Sequence, residues 1–283
     1  MIKNLVRKTP ILGQFIAYIR YKNLDRIIRQ LDEAEGDHPV DISGFAIPPA
    51  RLRYRVHGDV SQKTFLNVGR RIAKDIRTCV ESVGGDWISF NDVLDFGCGS
   101  ARVIRYFLAD NTKTNFTGID INQELIDWCN AHINGVNWRV VPTHPPSKFG
   151  DSSFDLIYGI SVFTHLDREL QTLWLKELAR IIRPGGIILL TVLGSAYVNH
   201  INLQDPGRRE LRDNGFVYLS GVTGKWKLDG LPDFYQSAIQ TVAQVQQEWS
   251  EHFEILRHIE GGINKLQDAV FLTRFFIIWI RLC

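Results

Sequence analysis

Two acidic residues, Asp95 and Asp120, each close a short apolar run, and the first is followed by Gly97 and Gly99. This pattern is typical of the end of a buried strand, where glycines let the backbone approach a ligand closely. Asp95 suits a cationic ligand group, and Asp120, about 25 residues further on, suits the two hydroxyls of a ribose. A plain turn and a helix cap use the same residue types singly, but the two acids in register favour a nucleotide-like ligand.

Two kinds of ligand fit this spacing. A dinucleotide requires a third glycine at the position of Arg102, so that match fails. S-adenosylmethionine (SAM) carries no phosphate but has an ammonium group and a sulfonium, which Asp95 can neutralise directly or through water. The residues therefore favour SAM, and we expect a side chain at Gly97 or Gly99 to crowd the ligand without disturbing the fold.

The chain resembles the class I SAM-dependent methyltransferase family. Residues 95–101 match its first motif, and Asp120 matches the acid at the end of its second strand. The resemblance is strong over 91–194 and extends to about residue 274. Three further stretches carry the resemblance. Residues 153–166 resemble the family's fourth strand and the loop after it, residues 178–186 the passage from a helix into the fifth strand, and residues 267–272 the last strand.

The resemblance implies SAM as the cofactor and assigns ten residues to it, at the ends of the first, second and fourth strands: Asp95, Phe96, Gly97, Cys98, Gly99, Asp120, Ile121, Gly159, Ile160 and Ser161. Two positions depart from the family pattern. Ala101 stands where the third glycine is usual, and residues 141–144 hold no acid for the adenine amino group. We therefore expect backbone and apolar contacts to hold the adenine.

Apolar runs that alternate with helical patterns predict an α/β fold. The expected architecture is a doubly wound, mostly parallel, seven-stranded Rossmann-like sheet with a C-terminal antiparallel hairpin. Helices are expected over 11–31, 65–83 and 168–182 and from about Ala101, with an ordered loop over 41–60. The predicted parts are a basic N-terminal arm (residues 1–47), a methyltransferase domain (48–274) and an apolar tail (275–283). Within the domain, residues 195–250 are expected to form a lid of loops and helices over the acceptor.

Composition limits the partners. The net charge of +2 gives no general indication of nucleic-acid binding. The four cysteines form no C-x-x-C pair, so we expect free thiols and a cytoplasmic protein. The cysteines and the eight histidines show no spacing typical of a zinc site, so we expect no metal. The first 31 residues hold seven basic residues against one acidic, and residues 275–280 are apolar. Arm and tail predict a peripheral contact with the inner face of a membrane; the alternative is packing on the domain or on a second subunit.

The resemblance implies that His165 lies near the position where the methyl group is presented. It is the candidate general base for a hydroxyl or amine acceptor, and the alternative is a residue that only holds its loop by hydrogen bonds. Weaker candidates are Tyr235, His144, His57 and His200. The predicted reaction is methyl transfer from SAM to an oxygen or nitrogen atom of a small molecule, such as a sugar or a lipid-linked metabolite. The rival hypotheses are a non-catalytic SAM-fold scaffold and a nicotinamide-dependent oxidoreductase.

Overall fold

A computed structural model describes residues 10–36, 39–108, 113–201, 203–219, 232 and 235–275. In this part of the chain, seven strands form one sheet in the order β3-β2-β1-β4-β5-β9-β8. Strands β1 to β5 run parallel to one another, whereas β9 pairs antiparallel with both β5 and β8. The strands are β1 Asp92–Phe96, β2 Asn115–Asp120, β3 Val136–Val140, β4 Phe154–Gly159, β5 Ile182–Val192, β8 Glu254–Ile263 and β9 Gln267–Thr273. The predicted architecture, including the closing hairpin, is confirmed.

Helices cover both faces of this sheet. They are α1 Pro10–Glu35, α2 Ala50–His57, α3 Gln62–Glu81, α4 Arg105–Leu108, α5 Gln123–His132, α6 Arg168–Ile181, α7 Ser195–His200, α8 Asp205–Asn214 and α9 Val242–Trp249. Along β5, Leu189 packs into the core beneath α3 and α5, while Ile188 and Leu190 pack into the core beneath α6 and α9. Side chains alternate across a strand, so an all-apolar run is buried on both faces only in such a three-layer arrangement.

The helix expected from about Ala101 begins later. Residues 101–104 form turns, and regular helix covers only Arg105–Leu108. Ala101 has a positive φ of 60°. The buried Arg105 side chain donates to the carbonyls of Ala101 and Ser100 at 2.8 and 3.4 Å. Carbonyls that a helix would use for its own first turn are therefore bonded to a side chain.

The loop expected over 41–60 is partly wrong, because it contains α2. This helix starts after Pro48-Pro49 and ends at Gly58, whose φ of 71° allows its N–H to bond the Tyr54 carbonyl. The Arg53 guanidinium is fully buried and donates to both carboxylate oxygens of Glu35 at 2.8 and 2.7 Å. This pairing fixes the end of α1 against α2.

The region 195–250 contains helices, as expected, but also an unpredicted antiparallel ribbon. Strands β6 (Phe216–Leu219) and β7 (Ser237–Gln240) pair with each other. The ribbon joins the main sheet where Leu193 bridges Ile239, and the Ala238 N–H donates to the Thr164 carbonyl at 2.8 Å. It therefore sits over the carboxyl ends of β4 and β5.

Among the described helices, none is long and apolar enough to cross a membrane. The predicted apolar tail beyond Phe275 lies outside the described residues. Cys79, Cys98 and Cys129 are buried free thiols, as expected, and Cys283 lies outside the described part.

Candidate functional site

The ten residues assigned to the cofactor meet at one edge of the sheet. Strand β1 lies between β2 and β4, and Asp95 is level with Gly118 on one side and Tyr158 on the other. Because these strands are parallel, their carboxyl ends and the loops that follow them share an edge, where ligands of open α/β sheets bind. The sheet order thus brings three separate parts of the chain to one edge of the sheet.

The loop after β1 is built from positive-φ backbone. Gly97, Gly99 and Ala101 have φ values of 80°, 55° and 60°. The N–H groups of Gly97 and Cys98 donate to the Ile119 carbonyl at 2.8 and 2.9 Å. These bonds hold the loop against the end of β2.

The expectation that Gly97 and Gly99 serve only the ligand is wrong. A Cβ at Gly97 would lie 2.3 Å from Cγ2 of Val162, and one at Gly99 would lie 2.9 Å from Cγ2 of Val56. Both glycines are therefore required by packing within the protein and by their positive φ. Valine at either position would disturb the fold itself, which makes these substitutions poor probes of ligand binding.

Asp120 is fixed by the backbone around it. Its Oδ2 accepts from the Gly99 N–H at 3.0 Å and its Oδ1 from the Asn122 N–H at 2.9 Å. The cap of α5 is Asn122, whose side chain accepts from the Leu125 N–H, so Asp120 is not needed for that role. A carboxylate has about four acceptor sites, which leaves capacity for two ribose hydroxyls.

Asp95 has the properties expected of a partner for a cation. Its side chain is buried, with 4% of the residue exposed, and its Oδ2 has no hydrogen-bond partner among the described residues. Burial raises the pKa of Asp95 from 3.8 to about 7, and Asp120 adds to the rise, while Tyr158 and Arg102 oppose it. An ammonium group placed here would meet an orphaned acceptor and favour its ionised form, so the residues present fit SAM.

We expect the affinity for SAM to depend on the ionisation of Asp95. The carboxyl must lose its proton to pair with the ammonium, so affinity should fall roughly tenfold per pH unit below pH 7 and level off above it. Calorimetric titrations between about pH 5.5 and 7.5 measure this slope. Asp95→Asn should bind more weakly and flatten the profile, and an unchanged slope in that variant would assign the dependence to another group.

The same pKa shift affects stability with a definite sign. The folded protein holds a proton on Asp95 between the unfolded pKa near 3.8 and the folded pKa of about 7. Since the folded state binds more protons in that window, the contribution of this group to the free energy of unfolding falls as pH rises through it. A bound cation offsets that loss.

Ser161, after β4, lies in a network that the sequence did not indicate. Its backbone has a φ of 60°, and its N–H donates to the Thr191 hydroxyl at 2.8 Å. Its hydroxyl accepts from the Gln267 amide at 2.6 Å, and its carbonyl accepts from the Tyr235 hydroxyl at 3.1 Å. Residues from β5, β9 and the region before β7 therefore support the β4 loop.

His165 lies on the same loop and beneath the ribbon. Its ring stacks on Tyr235 with centroids 4.0 Å apart, and its Nδ1 lies 2.6 Å from the Gln236 carbonyl. A carbonyl only accepts, so Nδ1 carries the proton and Nε2 carries the lone pair. This tautomer suits a general base, but the same contacts suit a residue that holds the loop to the ribbon.

The weaker histidine candidates differ in their surroundings. His57 lies on α2 and contacts Arg102, whereas His144 and His200 are exposed. Near the expected adenine position, Val141 is buried and packs with Ile121 in the same apolar cluster, and the Thr143 carbonyl accepts from the Trp174 indole. Among the described residues, no group of three or more His, Cys, Asp or Glu could hold a metal ion.

Known methyltransferases are similar to part of this chain. A family model described as a methyltransferase domain matches residues 94–190. The fatty-acid O-methyltransferase of Mycolicibacterium smegmatis is 30% identical over 63% of this chain and 53% of its own length. The tRNA (carboxymethyluridine(34)-5-O)-methyltransferase of Arabidopsis thaliana is 32% identical over 35% of this chain and 23% of its own length.

Similarity to solved structures extends over more of the chain. Human N-acetylserotonin methyltransferase in complex with SAM is 14% identical, covers 80% of this chain and 56% of its own, and superposes with a TM-score of 0.52. At that identity the likeness concerns the fold. The chain spans about half or less of the length of these two curated relatives. Taken with the strand-end acids and the glycine loop, these findings support a SAM-dependent methyltransferase domain over residues 94–190.

Proposed function

We propose that this protein transfers the methyl group of SAM to an oxygen or nitrogen atom of a small molecule, with His165 accepting the proton of the acceptor. The observation that carries the proposal is the position of His165 at the end of β4. It stands on the loop that follows the cofactor residues Gly159, Ile160 and Ser161, and its Nδ1 donates to the Gln236 carbonyl. Nε2 is thereby the basic nitrogen.

The roles of the cofactor and of the protein side chains follow from the chemistry of methyl transfer. Bound SAM supplies a methyl group already activated by its sulfonium, so the protein has mainly to align and desolvate the reactants. Asp95 pairs with the ammonium and Asp120 with the ribose hydroxyls, which fixes the cofactor against the glycine loop. His165 is needed only when the acceptor atom must lose a proton.

Two observations favour a small acceptor over a macromolecule. A net charge of +2 provides little attraction for RNA, and one relative is named for a fatty acid.

A peripheral membrane contact stays part of the proposal. Helix α1 exposes Ile19 and Ile27, at 42% and 43%, beside the basic residues of the arm. Exposed apolar side chains beside positive charge suit an anionic lipid surface, and a lipid-linked acceptor would be found there.

The acceptor class can be tested by product release. Purified protein is incubated with SAM and, in separate reactions, with fatty acids, phenols, sugars, polyamines, a tRNA pool and a protein pool. Released S-adenosylhomocysteine and the methylated product are measured by mass spectrometry. We expect release at least about tenfold above the acceptor-free rate with a small molecule. Transfer confined to the tRNA or protein pool would contradict the proposal.

A further inference from the structure

The imidazole ring of His165 is held by two residues that are adjacent in the sequence. Tyr235 and Gln236 lie just before β7, and the Tyr235 ring stacks on the His165 ring with centroids 4.0 Å apart and an angle of 19° between the planes. The Gln236 carbonyl lies 2.6 Å from Nδ1 of the same ring. The first contact fixes the plane of the imidazole, and the second fixes its rotation within that plane.

The backbone around His165 is held to the ribbon by other residues. From β7, the Ala238 N–H donates to the Thr164 carbonyl at 2.8 Å. From β6, the Tyr218 hydroxyl donates to the His165 carbonyl at 3.2 Å. The loop therefore has bonds to both strands of the ribbon that do not involve Tyr235. What the Tyr235 ring adds is the orientation of one side chain.

The hydroxyl of Tyr235 connects this ring to a residue assigned to the cofactor. It donates to the Ser161 carbonyl at 3.1 Å. A carbonyl only accepts, so Tyr235 keeps its proton in this contact and is not itself the general base. Ser161 is fixed in turn, because its N–H donates to Thr191 and its hydroxyl accepts from Gln267. Tyr235 thus spans the distance between a fixed point on the β4 loop and the imidazole.

We propose that Tyr235 is a positioning residue that holds the His165 imidazole at a set distance and angle from the cofactor loop. This inference rests on the proposed function, in which His165 is the base. Proton transfer requires the base within hydrogen-bond reach of the acceptor group, and a displacement of about 1 Å can lower a rate about 100-fold. Through Tyr235 the ribbon takes part in catalysis without contacting the reacting atoms.

A double-mutant cycle tests whether Tyr235 acts through His165. Tyr235→Leu removes both the stacked ring and the hydroxyl. In the otherwise wild-type chain it should lower kcat on the order of 100-fold with the acceptor found in the release assay, while the Kd for SAM, measured by calorimetry, changes little. In the His165→Ala background the same substitution should have almost no further effect, because the ring that it positions is absent.

Two single variants separate the ring from the loop. Tyr235→Phe keeps the stacked ring and loses only the bond to Ser161, so its kcat should lie between those of Tyr235→Leu and the wild-type protein. Tyr218→Phe is the matched control, since it removes a ribbon hydroxyl that bonds the backbone of the same loop. It leaves the ring contacts of His165 in place and should keep most of the wild-type kcat.

Nitrogen-15 NMR of the histidine-labelled full chain gives a readout that needs no acceptor. The His165 signals are identified by their loss in His165→Ala, at about pH 8, where imidazole is neutral in water. The wild-type protein should carry the proton on Nδ1, as the bond to Gln236 requires. Tyr235→Leu should instead show a mixture of the Nδ1–H and Nε2–H forms, because the ring is no longer held in the plane of that bond.

Three results would overturn the inference. A loss of kcat from Tyr235→Leu that is equally large in the His165→Ala background would assign Tyr235 to ligand binding or to the fold. Equal losses in Tyr218→Phe and Tyr235→Leu would reduce Tyr235 to a loop contact. A pure Nδ1–H signal that persists in Tyr235→Leu would show that Gln236 alone holds the ring. If no acceptor is methylated, the proposed function fails, and the NMR comparison alone decides whether Tyr235 positions the ring.

Discussion

His165→Ala is expected to lower kcat by roughly 100- to 10,000-fold at neutral pH with an acceptor that must lose a proton. The affinity for SAM should change little, because His165 lies beyond the residues assigned to the cofactor. Steady-state kinetics measures kcat with the acceptor found in the release assay, and calorimetry measures the affinity for SAM. His144→Ala, at an exposed position after β3, is the matched control and should behave as the wild-type protein.

A second substitution separates catalysis from support of the loop. His165→Asn keeps an N–H near the position of Nδ1, so it can still donate to the Gln236 carbonyl, but it has no basic nitrogen. If His165 is the base, Asn should be as inactive as Ala. Recovery of activity in His165→Asn would show that the histidine serves only to hold the loop against the ribbon.

Asp120→Ala is expected to weaken SAM binding by about 1–3 kcal/mol, or roughly 5- to 150-fold in Kd, because it removes charge-assisted hydrogen bonds to the ribose. Calorimetry measures the loss. Asp127→Ala, on the exposed side of α5, is the control and should bind normally. An unchanged Kd in Asp120→Ala would remove Asp120 from the site.

The substitution also frees the N–H groups of Gly99 and Asn122, so a weaker Kd could reflect a loosened loop. An S-adenosylhomocysteine analogue without the ribose 2′-hydroxyl resolves this. The wild-type protein should prefer the natural ligand over the analogue, and Asp120→Ala should lose that preference. A variant that weakens both ligands equally would indicate disturbance of the loop alone.

The sheet and its ligand edge could be predicted because both are encoded locally. A strand buried on both faces must be a continuous apolar run, and two of the runs here carry an acid at or near the strand end, Asp95 and Asp120, in register with each other. The register of parallel strands then brings these ends together without further information. The cap of α6 by Asp167, whose side chain accepts from the Leu170 N–H, is equally local.

The parts that could not be predicted depend on contacts between distant residues. Helix α2 is short and rich in arginine, and the buried pair of Arg53 with Glu35 stabilises it from outside its own sequence. Gln267 reaches Ser161 across 106 positions of the chain. Residue 99 must be glycine because Val56, 43 positions earlier in the chain, lies too close for a Cβ atom there. Periodicity and spacing carry no information about such pairs.

The ligand selectivity of the full chain tests the central claim most directly. Purified protein is titrated by calorimetry with SAM, with S-adenosylhomocysteine and with NAD under the same conditions. The account predicts that SAM and S-adenosylhomocysteine each bind at one site, that both raise the unfolding temperature by mass action, and that NAD does neither. Binding of NAD without binding of SAM, or binding of none of the three, would contradict it.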